Sequence, residues 1–526
     1  MKKEQLKVAP SPDVKPVHFV DAIPSSGKSV KLLQHIKSYH GNNRILVALP
    51  TADLIRQTRD ELKGISKRTV LSSEGSNSVV RDLKAALAPD STEKVILCTH
   101  DGLSLYAQAS VFDGSMQTAF NNVQVFIDEV PAGSFGQQIR VRHSEIGELE
   151  NNFHFMKWLS VDSKGGFFLN PEYFDELKKY WEEGHAHSNQ MKDIVWCLLN
   201  SSAMTKSTDD SGFWLTSYSA NPILLASQWC VSFTLLGCGA SDSEFLYRAK
   251  EHLKYPVLKA DDKFQPDISR AKFTNTENIT IHYVLQEKAS MTKLSSVYLE
   301  ALQWVKRNYR ENFLYTTNND KSTSALNIDF TSLADSEFSE LGQRVSMASY
   351  GLNYYAGHSV NRLTREQLAG IVSNVDAAYQ GYAKCAYLAS VNMDPFSLIR
   401  LKEYCEVMDW DFQTLYDKWS VQQNTERCLQ VISRTVIRNR ANKEKVSFLV
   451  PDKSTAEYLK NKYFYNCTLT HTGIKTPVKE NKGNIQYQKV QELRLQGKRI
   501  KEISQTLGLS LPQVKRYSAK CSKEAA

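Results

Sequence analysis

Val17-His-Phe-Val-Asp-Ala-Ile-Pro-Ser-Ser-Gly-Lys-Ser29 decides how the rest of the chain is read. Its apolar start, Val17 to Val20, predicts a strand, and Val30, Leu32, Leu33 and Ile36 then recur at helical spacing. Between them lies a loop of small residues ending in Gly27-Lys28-Ser29. Strand, small-residue loop and helix in that order make an anion cradle, because free N–H groups at the helix start face the loop. In such a cradle Lys28 reaches the β- and γ-phosphates of a nucleotide, and the Ser29 hydroxyl ligates Mg²⁺. The full phosphate-loop pattern opens on Gly, whereas this loop opens on Ala22. The tripeptide alone also suits an ordinary polar turn, so other segments must decide.

The chain has 526 residues, more than one core accommodates, which predicts two or three domains. No apolar run approaches the ~20 residues of a membrane helix. The start, Met1-Lys-Lys-Glu-Gln-Leu-Lys7, lacks the apolar core of a signal peptide and predicts a cytoplasmic protein. The nine cysteines show no Cys-x-x-Cys spacing and read as reduced and mostly buried. Net charge is +8, but from Ala441 onward 17 Lys/Arg face 7 Asp/Glu, so the first 440 residues sum to about −2. A near-neutral body with a basic tail points to a polyanionic partner for the tail, nucleic acid above all.

Further strand-like runs follow the loop: Arg44–Pro50, Lys94–His100 and Val123–Glu129. They are apolar without alternation and separated by helical segments such as Ala52–Leu62, the pattern of a parallel sheet covered on both faces. Ligands of such sheets sit at the carboxyl ends of the strands. The third run closes on Asp128-Glu129, and there Asp128 would hold Mg²⁺ while Glu129 polarises an attacking water.

At this point the chain resembles the superfamily 2 helicases. Ala22–Ser29 is similar to their motif I, Leu49-Pro-Thr-Ala-Asp-Leu54 with Gln57 to motif Ia, Thr99-His-Asp-Gly-Leu103 to the next nucleic-acid-contacting motif, and Asp128-Glu-Val-Pro131 to motif II. The resemblance implies a fold of two RecA-like parallel-sheet domains in tandem. It assigns Ala22, Ser25, Ser26, Gly27, Lys28 and Ser29 to ATP, and Ser29 and Asp128 to Mg²⁺. It also places Thr51 and Thr99 on the phosphate backbone of a bound single strand, although either threonine also suits a helix cap. Ser25 stands where the family usually has Gly.

Between Ala132 and about Val231 the pattern lapses into an insertion within the first domain, with a helix expected at Pro171–Glu183. His185-Ala-His187 has no third ligand nearby and reads as a surface loop. Phe233–Ser241 reads as strand and turn at the place of motif III. Tyr255–Asn278 is polar and turn-rich, a linker.

A second alternation starts at Ile279–Leu285 and continues through helical Leu299–Val305 and the strand Asn312–Thr317. Ser349-Tyr-Gly-Leu-Asn353 and Tyr387–Pro395 resemble motif V of phage-encoded helicase-like proteins, which implies nucleotide contacts for Gly351 and Asn353. In Gln430-Val-Ile-Ser-Arg-Thr-Val-Ile-Arg438 the residues Gln430, Arg434 and Arg438 recur at i, i+4 and i+8, predicting one helical stripe. Val431, Ile432, Val436 and Ile437 would face the core. Arginines so placed can reach a γ-phosphate across an interdomain cleft. The segment resembles motif VI with a gap of four where the family has three, leaving Arg434, Arg438 and Arg440 as candidate fingers.

Val446–Val450 is expected to be the last strand of the second sheet or near it along the chain, and Lys475–Asn484 a linker. Beyond it, Val490–Tyr517 looks like a helix-turn-helix with Gln513, Lys515, Arg516 and Lys520 available to duplex DNA.

The reading is thus an α/β chain with a RecA-like domain 1 at 1–262 (insertion about 132–230), a RecA-like domain 2 at 275–470, and a small all-α helix-turn-helix at 485–526. It predicts an ATP-hydrolysing helicase or translocase with Lys28, Asp128, Glu129, Gln430, Arg434 and Arg438 as catalytic residues, acting on DNA of a phage, plasmid or similar element. The alternative is a sequence-specific DNA-binding regulator or origin binder whose nucleotide site is a switch.

Overall fold

In the computed structural model the described residues are 14–70, 78–111, 113–142, 155–183, 189–199, 203–209, 212–310, 312–318, 330–338, 341–344, 381–391, 393, 395–476 and, near the C-terminus, 489–490, 492–493, 498–507, 509–512 and 514–515. The chain divides into two compact units, residues 1–473 and 474–526.

The first unit contains two parallel α/β sheets in tandem. Strands β1 (Val17–Asp21), β2 (Arg44–Leu49), β3 (Lys67–Val70), β4 (Val95–Thr99) and β5 (Val123–Asp128) alternate with helices α1 (Lys28–Ser38), α2 (Ala52–Glu61), α3 (Val79–Leu87) and α4 (His100–Ser110). An excursion follows, with β6 (Ser134–Arg142), β7 (Leu159–Val161), β8 (Phe167–Leu169), β9 (Thr205–Asp209) and β10 (Gly212–Ala220). The chain then returns through β11 (Ser232–Gly237) and β12 (Val257–Lys259), completing a sheet of order β12-β1-β11-β5-β2-β4-β3.

The apolar, non-alternating strands explain this sheet's two covered faces. Along β2, Leu46 and Ala48 join one core with Leu83, Leu103 and Tyr106 of α3 and α4. Ile45, Val47 and Leu49 join the other with Leu32, Ile36 and Ile55 of α1 and α2. β3, too short and polar to stand out in sequence, is an edge strand paired with β4. β12 corrects the linker reading: the polar stretch from Tyr255 begins with a strand that pairs with β1.

The second sheet comprises β13 (Ile279–Leu285), β14 (Phe313–Thr317), β15 (Gly342–Arg344), β16 (Lys384–Leu388), β17 (Val446–Asp452) and β18 (Thr468–His471), in the order β15-β14-β16-β17-β13-β18. β17 is central in the sheet, between β16 and β13, and is near its last strand in chain order, with only β18 following among the described residues. The chain continues through the helix Lys453–Lys462 to the edge strand β18. Ile23 of the phosphate loop and Cys238 after β11 belong to the core of this second sheet, beside Phe448 and Val450, so the two sheets share packed side chains.

The excursion builds a body of its own. β6, β10 and β9 form an antiparallel sheet, and Trp158, Leu177, Trp196 and Leu215 share a core with the helices Phe174–Glu182 and Asn189–Leu199. It also reaches the second sheet's helices. Tyr218 of β10 packs with Leu401, Tyr404 and Leu415, and its hydroxyl donates to the Ser397 carbonyl over 3.1 Å. Arg248, fully buried, pairs with Glu244 at 3.1 Å and lies 5.1 Å from the Trp410 ring. A guanidinium out of water needs such partners, since leaving one unpaired costs about 3–5 kcal/mol.

All eight cysteines among the described residues are buried, and none forms a disulfide. No helix among the described residues is long and apolar enough to cross a membrane. In the second unit one helix, Ile500–Leu507, packs Ile503 with Val490, Leu509 and Val514. A separate helix-turn-helix is not evident among the described residues.

Candidate functional site

The loop between β1 and α1 bends through two left-handed residues, Ser25 at φ 60° and Gly27 at φ 95°. Glycine takes this conformation freely, whereas a side chain there costs about 1 kcal/mol or more. Ser25 therefore carries a backbone cost at this bend that a glycine would not. α1 starts at Lys28 with no side-chain cap on its first turn, which leaves N–H donors facing the loop. The Ser26 hydroxyl is buried with no hydrogen-bond partner among the described residues. The Lys28 ammonium folds over the loop, donating to the carbonyls of Ala22 at 2.8 Å and Ile23 at 3.1 Å.

Two strands away in the sheet, β5 ends on Asp128 beside this loop. The Ser29 hydroxyl donates to Asp128 Oδ2 at 3.0 Å. Burial raises the Asp128 pKa, opposed by the Lys28 charge and the Ser29 hydrogen bond. The chain then turns sharply: Glu129 adopts φ 67°, its N–H donating to the Leu236 carbonyl at 2.8 Å. Burial, and next the Asp128 charge, push the Glu129 pKa up to about 7, against Arg434, Lys28 and Arg438, which lower it. A carboxylate poised near neutrality at a strained corner has the character of a general base.

The charges of Arg434 and Arg438 act on this carboxylate from the second sheet's side, but not from one helix. The helix Arg427–Ile432 stops, Thr435 is extended, and Val436–Arg438 forms a separate 3-10 turn. The expected continuous stripe of Gln430, Arg434 and Arg438 is therefore wrong. Ser433 and Thr435 turn their hydroxyls back onto the carbonyls of Gln430 and Ile432, competing with the helix's own hydrogen bonds. Val431, Ile432, Val436 and Ile437 still enter the core. Gln430 keeps a buried amide oxygen without a partner among the described residues. Arg438 donates from Nε to the Ser433 carbonyl at 3.0 Å, and Arg440 reaches the loop itself, with Nη2 3.4 Å from the Pro24 carbonyl.

Thr51 and Thr99 are both helix caps at strand ends of the first sheet, accepting from Leu54 N–H at 3.3 Å and Gly102 N–H at 3.0 Å. A capping hydroxyl still has its own proton to donate. Lys515 is exposed in the second unit, whereas Gly351, Asn353, Gln513, Arg516, Lys520 and the pair His185/His187 lie outside the described residues.

Three residues at the site carried no motif signal of their own. His100, inside Thr99–Leu103, is buried with Nε2 2.9 Å from the Asp128 carbonyl, and burial lowers its pKa to about 4. It is a neutral donor fixing the acidic corner. Asp21, closing β1, accepts from the N–H groups of Ala240 at 3.2 Å and Ser241 at 3.1 Å, and so ties the turn after β11 to the loop strand. Glu426, one turn before Gln430, is buried against that same turn. It accepts from the hydroxyls of Tyr458 and Tyr463, each at 2.7 Å, and from Lys462 at 3.2 Å, while Lys462 also pairs with Asp242 at 2.8 Å.

No family model matches the chain, and no curated protein matches it in sequence. Among solved structures, S. tokodaii Xpd4 is similar with a TM-score of 0.44 at 12% identity, covering 86% of this chain and 96% of that one. A structure titled XPD helicase gives 0.42 at 12% identity, with coverage of 87% and 96%. S. cerevisiae Dbp5 bound to RNA and ADP BeF3 gives 0.37 at 10% identity, with coverage of 89% and 88%.

Proposed function

We propose that the chain is a nucleic-acid-stimulated ATPase of the superfamily 2 helicase or translocase kind. The observation that carries this reading is one cluster: Ser29 on Asp128, Glu129 held near neutrality, and Arg434 and Arg438 acting on Glu129 from the second sheet. The loop N–H groups, the orphaned Ser26 hydroxyl and Lys28 would bind the polyphosphate of ATP. Ser29 and Asp128 offer hard oxygen donors that fit Mg²⁺, which when bound neutralises phosphate charge. Glu129 would take the proton of the attacking water, and Arg434 and Arg438 would stabilise charge building on the terminal phosphate.

Nucleic acid would run along the strand ends, with the hydroxyl protons of Thr51 and Thr99 free to meet phosphates without reading bases. The basic tail, including Lys515, would add a contact to duplex DNA. The setting of a phage, plasmid or similar element belongs to this proposal through the sequence resemblance alone. The test is ATP hydrolysis by the full chain alone and with single-stranded DNA, duplex DNA or RNA, at fixed salt. Hydrolysis that is stimulated by one of these and lost in Lys28→Ala and Glu129→Gln supports the reading. A wild type no faster than those variants overturns it.

A further inference from the structure

The polar connection between the two sheets carries a 3-10 turn, Ile268–Arg270, beside the phosphate loop. Its approach is held by an ion pair of Asp267 with Lys31 on α1 at 2.8 Å. Asp267 also accepts the Arg270 N–H through its backbone carbonyl at 2.8 Å, which closes the turn. Arg270 thereby places Nη1 3.8 Å from the point that a Cβ on Gly27 would occupy. Its side chain is exposed and makes no hydrogen bond or ion pair among the described residues.

Arg440 approaches the loop too, with Nη2 at the Pro24 carbonyl and Nε buried without a partner among the described residues. The two guanidiniums repel: burial first, then the charges of Arg270 and Arg438, lower the Arg440 pKa to about 10. Arg440 is held in place by the Ile437 carbonyl at 3.1 Å and the Phe273 ring at 4.6 Å, so the exposed Arg270 is the guanidinium left with donors to offer an anion at this loop.

We propose that Arg270 is a phosphate-binding residue, contributed by the interdomain connection, that grips the inner phosphates of a nucleoside di- or triphosphate on the Gly27 side of the loop. This rests on the ATPase reading above. Gly27 precedes the helix start that faces the inner phosphates, so Arg270 serves ATP and ADP alike. Arg434 and Arg438 act on Glu129, which the ATPase reading puts at the terminal phosphate that distinguishes the two nucleotides. The connection then supplies a nucleotide ligand itself.

The test is equilibrium binding of a fluorescent ATP analogue and a fluorescent ADP analogue to full-length wild type, Arg270→Ala, Arg270→Lys, Arg434→Ala and Lys28→Ala. Arg270→Ala is expected to weaken both analogues by about tenfold, the loss of one charge-assisted contact, with Arg270→Lys intermediate. Arg434→Ala is expected to weaken the ATP analogue alone. Exposure of Arg270 means that its removal leaves the thermal midpoint unchanged. Unchanged affinity in Arg270→Ala, alongside lost binding in Lys28→Ala, overturns the inference and leaves the ATPase reading intact. Weakening confined to the ATP analogue also overturns it, by assigning Arg270 to the terminal phosphate. A wild type that binds neither analogue overturns both.

Discussion

The Ser29 hydroxyl donates to the Asp128 carboxylate across 3.0 Å, although 99 positions separate the two residues. The contact joins the start of α1 to the end of β5 and puts the two oxygens proposed for Mg²⁺ side by side. Asp128→Asn keeps the shape and a carbonyl acceptor but removes the charge. Turnover is expected to fall by about a hundredfold or more, while nucleotide affinity without Mg²⁺ is retained or improved. Titration of a fluorescent nucleotide with and without Mg²⁺ reads the second effect. An Asn variant that keeps the wild-type gain in affinity from Mg²⁺ would remove Asp128 from the metal site.

Glu129 combines a left-handed backbone with a pKa of about 7, set by burial and the neighbouring Asp128. The fold therefore favours its protonated form. Between the ordinary glutamate pKa and 7 the folded state binds more protons than the unfolded one, so stability from this group is lost as pH rises through that window. Glu129→Gln removes the burden. It is expected to raise stability by roughly 1–3 kcal/mol at pH 8, with little gain at pH 4.5, while abolishing hydrolysis. Urea midpoints at the two pH values decide it, and an equal gain at both would mean that Glu129 is not held near neutrality. Hydrolysis in the wild type should fall as pH drops below 7.

His100 behaves in the opposite sense. Its folded pKa of about 4 lies below the ordinary histidine value, so its contribution is present above about 6.5 and lost as pH falls towards 4. His100→Gln can still donate to the Asp128 carbonyl without carrying a titrating group. The variant should lose about 1 kcal/mol at pH 8 and less at pH 4.5, flattening the acid limb of stability. A parallel downward shift at both pH values would show that protonation of His100 does not matter.

What could be read in the sequence divides along a physical line. β2, β4 and β5 are buried on both faces, so their composition alone marks them, and the loop at Ala22–Ser29 is local in sequence. β3, β12 and β15 are short edge strands whose Lys67-Arg68-Thr69, Lys259 and Gly342-Gln343-Arg344 carry no apolar run. The arginine stripe failed because periodicity at Gln430, Arg434 and Arg438 is blind to Ser433 and Thr435, whose hydroxyls cap the helix from within. Asp21, His100 and Glu426 were beyond periodicity altogether. Each acts through a partner distant in sequence, and only the assembled sheets bring the pair together.

Glu426 offers the sharpest test of how the two sheets are joined. Its carboxylate is 4% exposed and receives Tyr458, Tyr463 and Lys462 from the second sheet's side. Cys238 Sγ donates to it at 3.4 Å from the turn after β11. Gly239 makes the approach possible: at φ 66° a Cβ there would lie 2.4 Å from the Glu426 side chain. Glu426→Ala takes their acceptor from the Tyr458 and Tyr463 hydroxyls, while Lys462 keeps Asp242 and the Tyr458 oxygen, and is expected to cost about 2–3 kcal/mol, whereas Glu426→Gln, still an acceptor, costs about 1–2 kcal/mol. Gly239→Ala is expected to destabilise the wild type through both the clash and the left-handed backbone. In the Glu426→Ala background the clash is gone and only the backbone strain remains, so the double variant should be more stable than the sum of the singles predicts, by about 1 kcal/mol or more. Strict additivity in urea unfolding would show that Gly239 and Glu426 do not press on each other.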